Sequence, residues 1–520
     1  MMLRSGLRHL TGFVVAWISA HTVGLDGNLW WRVIFWLMSL GLAWECLVDG
    51  IRHRGTCPVK IDLASLMRHA HRHPQQLWLG WGASWNGEKL QQHVDRLGTA
   101  AHKRRALVRK MLLSAEGRGH MLVIGAPGTG KTQLLLWLAA QAVGRGEAVI
   151  MIDPKGGGRI PDILRACASR RGVPCYELRL DQPSLSCHLD VLAHGQSPSE
   201  LATRLCRLLP AAEQAEVFAR FSWMVLYRIL SGLMMLERPY SWGMLRAHVM
   251  NQGQDLARAC AASGGAQHAV TQGLAALARH DATHYSKMIV GMMPLLEILA
   301  TGVLGELLSI SPHVERVCLG QVVAQRAVLY VSLAALEDSQ VARVLGSLVL
   351  GELSSWVGAR YGQSGLPELP LQVMVDEASE VSGVAFVQLL NKGREAGVQM
   401  CLSVQTLADL EVAMQGESEA RMMVGNATHV LMFRTLDPAS RRALIERAGW
   451  VSVRGRLTGA SLHEAGLTQG QRRGVTLQHP WQDMALVSDQ DLSELEDMQY
   501  VAHLGGRGLV WGALARVGKH

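Results

Sequence analysis

The sequence contains no C-x-x-C pair. Its nine cysteines, at 46, 57, 167, 175, 187, 206, 260, 318 and 401, are scattered and mostly flanked by apolar residues, so they form no close metal-ligand set. An odd number of isolated thiols fits buried side chains in a reducing compartment and argues against a disulfide framework or a structural zinc site. Charge is also scarce, with 18% of the 520 residues charged against 49% hydrophobic. Such a chain has a substantial core and more apolar surface than a typical soluble enzyme, so part of it is expected to meet lipid or a partner. The balance of charge is +8, with a pI near 9.1, which favours anionic partners such as nucleic acid or acidic lipid. The length suggests two or three domains.

Two long apolar runs stand near the amino-terminal end, LRHLTGFVVAWISAHTVGL over 7–25 and LWWRVIFWLMSLGLAWECLV over 29–48, joined by Asp26-Gly27-Asn28. A membrane span needs about 20 residues, so the second run suffices and the first is marginal. The pair reads as a transmembrane hairpin occupying residues 1–50. Arg4 and Arg8 lie at its start, Arg52, Arg54 and Lys60 follow it, and the turn carries only Asp26, so both ends are expected in the cytoplasm. Trp30, Trp31, Trp36 and Trp44 suit interfacial anchoring or packing between the two helices. A signal peptide is disfavoured because a second apolar segment follows at once. Residues 51–118 then form a juxtamembrane segment and entry region. Within it, RHAHRHP (68–74) reads as a basic solvated stretch, since no Cys or carboxylate completes a ligand set; HKRRALVRK (102–110) is either a phosphate-contacting run or one charged helix face.

GHMLVIGAPGTGKTQLLLWL (119–138) combines an apolar strand, a glycine loop and a helix. Gly125, Gly130, Lys131 and Thr132 fit G-x-x-x-x-G-K-[ST], in the strand-to-helix setting that the motif requires. The loop Gly125, Ala126, Pro127, Gly128, Thr129, Gly130, Lys131 and Thr132 is expected to cradle the phosphates of ATP, since curled backbone N–H groups and the positive end of the helix attract anions. Lys131 adds charge for the terminal phosphates, and Thr132 offers a hydroxyl to Mg²⁺.

Further strands are expected at 148–152 (ending before Asp153), 327–333, 371–375, 398–404 and 428–433, separated by helical stretches. The alternation indicates a parallel sheet covered on both faces, an α/β RecA-like core over 119–196 and 312–520. LQVMV ends in Asp376-Glu377, an acidic pair at a buried strand tip: Asp376 suits Mg²⁺ and Glu377 suits the attacking water. CLSVQT places Gln405 at a strand end, where it can hydrogen-bond the γ-phosphate and water. In NKGREAG, Arg394 and Lys392 are candidates for a cation supplied to a neighbouring subunit; simple surface charge is an equal reading. Between the two halves of the core, 197–311 has apolar residues at three- and four-residue spacing and no strand-like alternation, as in an inserted all-α domain. FSWMVLYRILSGLMML, 16 residues with Arg228 near its middle, reads as a buried helix there and not as a third membrane span.

The two-helix anchor followed by GHMLVIGAPGTGKT, VIMIDPKGG, VMVDEASE, NKGREAGVQMCLSVQT and GNATHVLMFRTLDP, in that order, resembles the conjugative type IV coupling proteins of the TraD/TraG class, within the FtsK/HerA-like P-loop ATPases. LWLGWGASW (77–85) also resembles the segment such proteins carry before the ATPase domain. The resemblance implies a two-pass protein of the bacterial inner membrane, a homo-hexameric ATPase with ATP and Mg²⁺. Its partners would be relaxase-bound, single-stranded DNA, relaxosome proteins and a type IV secretion channel. It implies phosphate binding by Gly125 to Thr132, metal and water handling by Asp376 and Glu377, and γ-phosphate contact by Gln405. CHLDVL (187–192) departs from the family's Asn-Pro-Leu, and the tail beyond 450 has no long acidic extension for relaxosome docking. Two other readings remain: an FtsK-type DNA translocase, disfavoured by the single hairpin, and an ATP-dependent receptor for secreted protein effectors.

Overall fold

The computed structural model describes residues 60–518 except 96–108, 115–118, 196, 210–215, 238–240, 310–315, 362–369, 382–383, 415, 455–459, 464–473 and 478–480. The expected membrane hairpin and most of HKRRALVRK lie outside the described residues.

One large sheet organises the chain. In chain order its strands are β1 (Gln76–Ser84), β2 (Arg109–Ser114), β3 (Met121–Ile124), β4 (Ala148–Asp153), β5 (Cys175–Arg179), β6 (Val328–Ser332), β7 (Leu371–Val375), β8 (Val398–Val404), β9 (His429–Phe433), β10 (Gln499–Leu504) and β11 (Gly508–Ala513). They lie side by side in the order β2-β1-β11-β10-β9-β3-β8-β7-β4-β6-β5. From β9 to β5 every pairing is parallel, and from β9 to β2 every pairing is antiparallel. The inner parallel strands β3, β4 and β6 are buried at every position, as their unbroken apolar runs demand when helices cover both faces.

The helix after the glycine loop, Lys131–Arg145, is apolar nearly all round, with Leu134, Leu135, Trp137, Ala139 and Ala142 fully buried. Such a helix must be enclosed. Helix Leu63–Arg72 packs on it, started by Asp62, whose carboxylate caps the first turn. Helix Lys131–Arg145 ends at Gly146, which takes the left-handed conformation and donates its N–H to the carbonyls of Ala142 and Val143.

The entry segment supplies β1 and β2 to the main sheet, and β1 pairs with β11 from the far end of the chain. Trp78 and Trp81 lie three apart, which in a regular strand would put them on opposite faces. The register shifts between them, at Gly80 with φ +105°, so both indoles meet Trp137 edge-to-face at 5.2 and 5.8 Å. A Cβ at Gly80 would stand 2.2 Å from the Ala513 carbonyl oxygen, which restricts the position to glycine.

From Pro198 to Leu307 the described residues form eight helices and no strand. FSWMVLYRILSGLMML falls in helix Glu216–Met235, the one helix among the described residues long and apolar enough to cross a membrane. Val225, Leu226, Ile229, Leu230 and Leu233 are buried, and the helix packs against Pro198–Cys206, Trp242–Met250, Gln254–Gly264, Ala269–Ala278 and Ala282–Ile289. It is the core helix of that bundle. RHAHRHP lies largely in helix Leu63–Arg72, where His69 packs edge-on against Trp78 at 5.0 Å.

Candidate active site

The site forms where β3, β8 and β7 end side by side. The glycine loop is tied at its base to both strands that flank β3: Gly125 N–H donates to the Val404 carbonyl at the end of β8 (3.2 Å), and Ala126 N–H to the Arg434 carbonyl after β9 (2.9 Å). Thr129 closes the loop on itself through Oγ1 to the Ala126 carbonyl at 2.7 Å, while its own carbonyl accepts from Met498 N–H at 2.8 Å. Gly128 and Gly130 take left-handed φ of +78° and +128°, and Pro127 and Gly128 stand exposed at the tip.

Lys131 is buried and bends back on the loop, donating from Nζ to the Gly125 carbonyl (2.6 Å) and the Ala126 carbonyl (3.3 Å). Burial lowers its pKa, against the opposing charges of Glu377 and Asp376. Thr132 Oγ1 donates to Asp376 Oδ2 at 2.6 Å, although the two residues are 244 positions apart. Ser403 Oγ donates to the other carboxylate oxygen of Asp376 at 2.6 Å and accepts from Glu377 N–H at 3.2 Å, so β8 fixes the acidic pair of β7. Glu377 is 4% exposed and has a left-handed backbone, φ +52°. For a side-chain-bearing residue that conformation costs about 1–3 kcal/mol and persists where surrounding contacts enforce it.

Thus the structure brings Lys131, Thr132, Asp376 and Glu377 together. Gln405 directly follows Val404 and so stands beside the base of the loop. Arg394 is exposed in the turn before β8, at the opposite end of the strands, and is not brought into this chain's own site; neither is Lys392. Two residues without a role in the sequence reading join the constellation. Ser403 is one. The other is Lys155, whose Nζ donates to Glu377 Oε1 at 2.9 Å. Their signal was positional: Ser403 lies two residues before Gln405, and Lys155 two after Asp153, the tip of the strand next to β7.

Asp153 Oδ1 accepts the N–H groups of Lys155 and Gly156, both at 3.1 Å, and Oδ2 accepts the Tyr330 hydroxyl at 2.8 Å. Burial raises its pKa against those hydrogen bonds. For Mg²⁺ the donor chemistry fits: Thr132 and Asp376 offer two hard oxygens side by side. No group of three or more His, Cys, Asp or Glu that could hold a metal occurs among the described residues. Mg²⁺ at a phosphate site needs no such cage, since it takes one or two protein oxygens and completes its shell from phosphates and water.

Residues 370–496 match the family model described as the TraM recognition site of TraD and TraG. In this segment the chain is similar to the TraD/TraG class. Residues 114–280 match an AAA domain, which with the loop geometry makes the core a P-loop ATPase. No curated protein matches the chain by sequence. Among solved structures, the bacterial conjugative coupling protein TrwBdeltaN70 in its unbound form is similar with a TM-score of 0.56 and 17% identity, covering 84% of this chain and 93% of that one. The plasmid coupling protein TrwB in complex with ADP and Mg²⁺ is similar at 0.56 and 16% identity, covering 85% of this chain and 95% of that one. The same protein with the non-hydrolysable ATP analogue ADPNP scores 0.55 at 16% identity, with 85% and 96% covered. At these identities the likeness is one of fold.

Proposed function

We propose that this chain is a membrane-anchored ATPase that couples relaxase-bound DNA to a type IV secretion channel and drives conjugative DNA transfer. One observation carries the reading: the segment that matches the TraM recognition site of TraD and TraG begins on β7 and includes Asp376, Glu377 and Gln405, so a relaxosome-facing family feature and the ATP site share the same strands. The plasmid coupling protein TrwB, seen with ADP and Mg²⁺ and with ADPNP, supports ATP and Mg²⁺ as the ligands.

In this reading the loop from Gly125 to Thr132 binds the phosphates through backbone N–H groups. Lys131 leaves the Gly125 carbonyl for the terminal phosphates, and Thr132 with Asp376 would hold Mg²⁺, which when bound neutralises phosphate charge. Glu377 takes the proton of the attacking water, and Gln405 senses the γ-phosphate. Because Gly125 is hydrogen-bonded to Val404, a change at Gln405 reaches the loop by one residue of backbone.

The catalytic cation comes from a second copy. Arg394 faces away from its own site, and around that site Leu336, Val412 and Leu436 are 90, 80 and 75% exposed on elements that follow β6, β8 and β9. An apolar rim about a nucleotide site suits a neighbouring subunit, and a homo-hexameric ring with Arg394 delivered in trans accounts for both. The ring stands on the bacterial inner membrane through two amino-terminal helices, with the ATPase in the cytoplasm and single-stranded DNA as cargo. The deciding test is hydrolysis with single-stranded DNA, double-stranded DNA and a secreted protein. Stimulation by DNA is expected; an unchanged rate with DNA and a raised rate with protein would replace the DNA motor by an effector receptor.

A further inference from the structure

The Glu377 carboxylate is enclosed, and one of its oxygens is already engaged. Its Oε1 accepts from Lys155 Nζ at 2.9 Å and lies 3.8 Å from Lys131 Nζ. A carboxylate oxygen held by one ammonium and close to a second is already engaged and is not presented to water. The two lysines differ in how they are held. Lys131 is 5% exposed and anchored to the carbonyls of its own loop, whereas the Lys155 side chain is 55% exposed and has Glu377 as its partner.

The backbone beneath Lys155 is fixed while its side chain is not. Asp153 accepts both the Lys155 and Gly156 N–H groups, and Asp153 is itself fixed by the Tyr330 hydroxyl. Glu377 is equally constrained, by its N–H to Ser403 and by its left-handed backbone. The mobile component of the pair is therefore the four-carbon stem of Lys155. A triphosphate on the loop would bring several negative charges to this corner of the site, and the stem would turn toward them.

Resting on the ATPase reading of this site, we propose that Lys155 is a positioning residue that reports the γ-phosphate: without it Lys155 pins Glu377 away from water, and with it Lys155 moves to the phosphate and releases Glu377. ADP, which lacks that phosphate, leaves the pin in place. The device makes hydrolysis depend on a complete triphosphate and gives the site a preference for ATP over ADP.

The test compares Lys155→Met, which keeps the stem without the charge, with Lys155→Arg, both in the full chain. Affinities for ADP and for a non-hydrolysable ATP analogue are measured by displacement of a fluorescent nucleotide. Loss of one charge contact to the γ-phosphate should reduce the triphosphate-to-diphosphate preference about tenfold in Lys155→Met. Lys155→Arg should keep most of that preference. An unchanged preference in Lys155→Met, an equal loss for both nucleotides, or equal behaviour of the two variants would overturn the proposal. Wild-type protein that binds no nucleotide would instead overturn the ATPase reading itself.

Discussion

The parallel half of the sheet and its antiparallel flank are built on opposite plans. From β9 to β5 the strands are parallel neighbours joined through helices, and their carboxyl ends hold the loop, the acidic pair and Lys155. The flank is assembled from the two ends of the described chain: β11 pairs with β1, and the Tyr500 hydroxyl donates to the Leu79 carbonyl across 421 positions. The parallel half positions charge, while the flank closes the fold around it. Substitutions should therefore separate, with those in the first half abolishing chemistry and those in the second lowering stability.

The largest effect is expected at Lys131. Lys131→Ala removes the charge aimed at the terminal phosphates and should lower ATP hydrolysis by ~10³-fold, as loss of a preorganised transition-state donor does. Because the change also removes a buried cation, thermal unfolding should stay near the wild-type temperature. Normal hydrolysis by the folded variant, or normal DNA transfer in a mating assay at normal membrane localisation, would reject an ATP-driven role.

The same division explains what is legible in the sequence alone. Lys131 and Asp376 are legible because each follows an apolar strand, Lys131 by way of the glycine loop and Asp376 directly, and parallel α/β sheets collect such ends at one edge. The interior strands were likewise clear, with small shifts such as Val328–Ser332 for an expected 327–333. Cys175–Arg179 was not, because this edge strand carries the half-buried Cys175 and Glu177 in place of an unbroken apolar run. Trp78 and Trp81 were visible as residues, but their shared face depends on the irregularity at Gly80, which reverses the parity that alternation implies. Ser403 and Lys155 acquire meaning only from neighbouring strands, and no local pattern encodes which strands those are.

Gln141 is where the two halves are joined. Fully buried on the helix Lys131–Arg145, it accepts Trp78 N–H at 2.8 Å and donates to the carbonyls of Trp78 at 2.9 Å and Trp137 at 3.2 Å. Gln141→Leu removes these three bonds from a buried site, which should lower stability by about 4 kcal/mol, read from the urea midpoint. Hydrolysis per folded molecule should survive. A loss of kcat without a loss of stability would show that the flank participates in the chemistry.

A smaller effect follows from His120, at the entrance of β3. Its Nδ1 accepts Met400 N–H at 3.1 Å, and burial, with the charge of Arg394, lowers its pKa from 6.5 to about 4. The folded chain keeps this imidazole neutral while the unfolded chain protonates it. Stability should therefore fall as pH drops from 6.5 toward about 4, by about 3 kcal/mol across the window. His120→Gln should flatten that part of the profile; an unchanged slope would place the acid sensitivity elsewhere.

The smallest expected effect sharpens the comparison most. Tyr500→Phe removes one buried hydroxyl, so stability should fall by about 1 kcal/mol. Yet the Tyr500 ring also meets Phe433 at 5.9 Å, and Phe433 presses on the glycine loop, with a Cβ at Gly125 falling 2.7 Å from the Phe433 Cβ. Removing the hydroxyl leaves this ring stack in place. If the flank only closes the fold, kcat should stay within about twofold of wild type, since less than half a kcal/mol then reaches the barrier. If kcat falls further than that while the melting temperature barely moves, the hydrogen bond to Leu79 sets the position of Phe433 and through it the loop. The boundary between chemistry and closure would then run through β10 and not between β10 and β9.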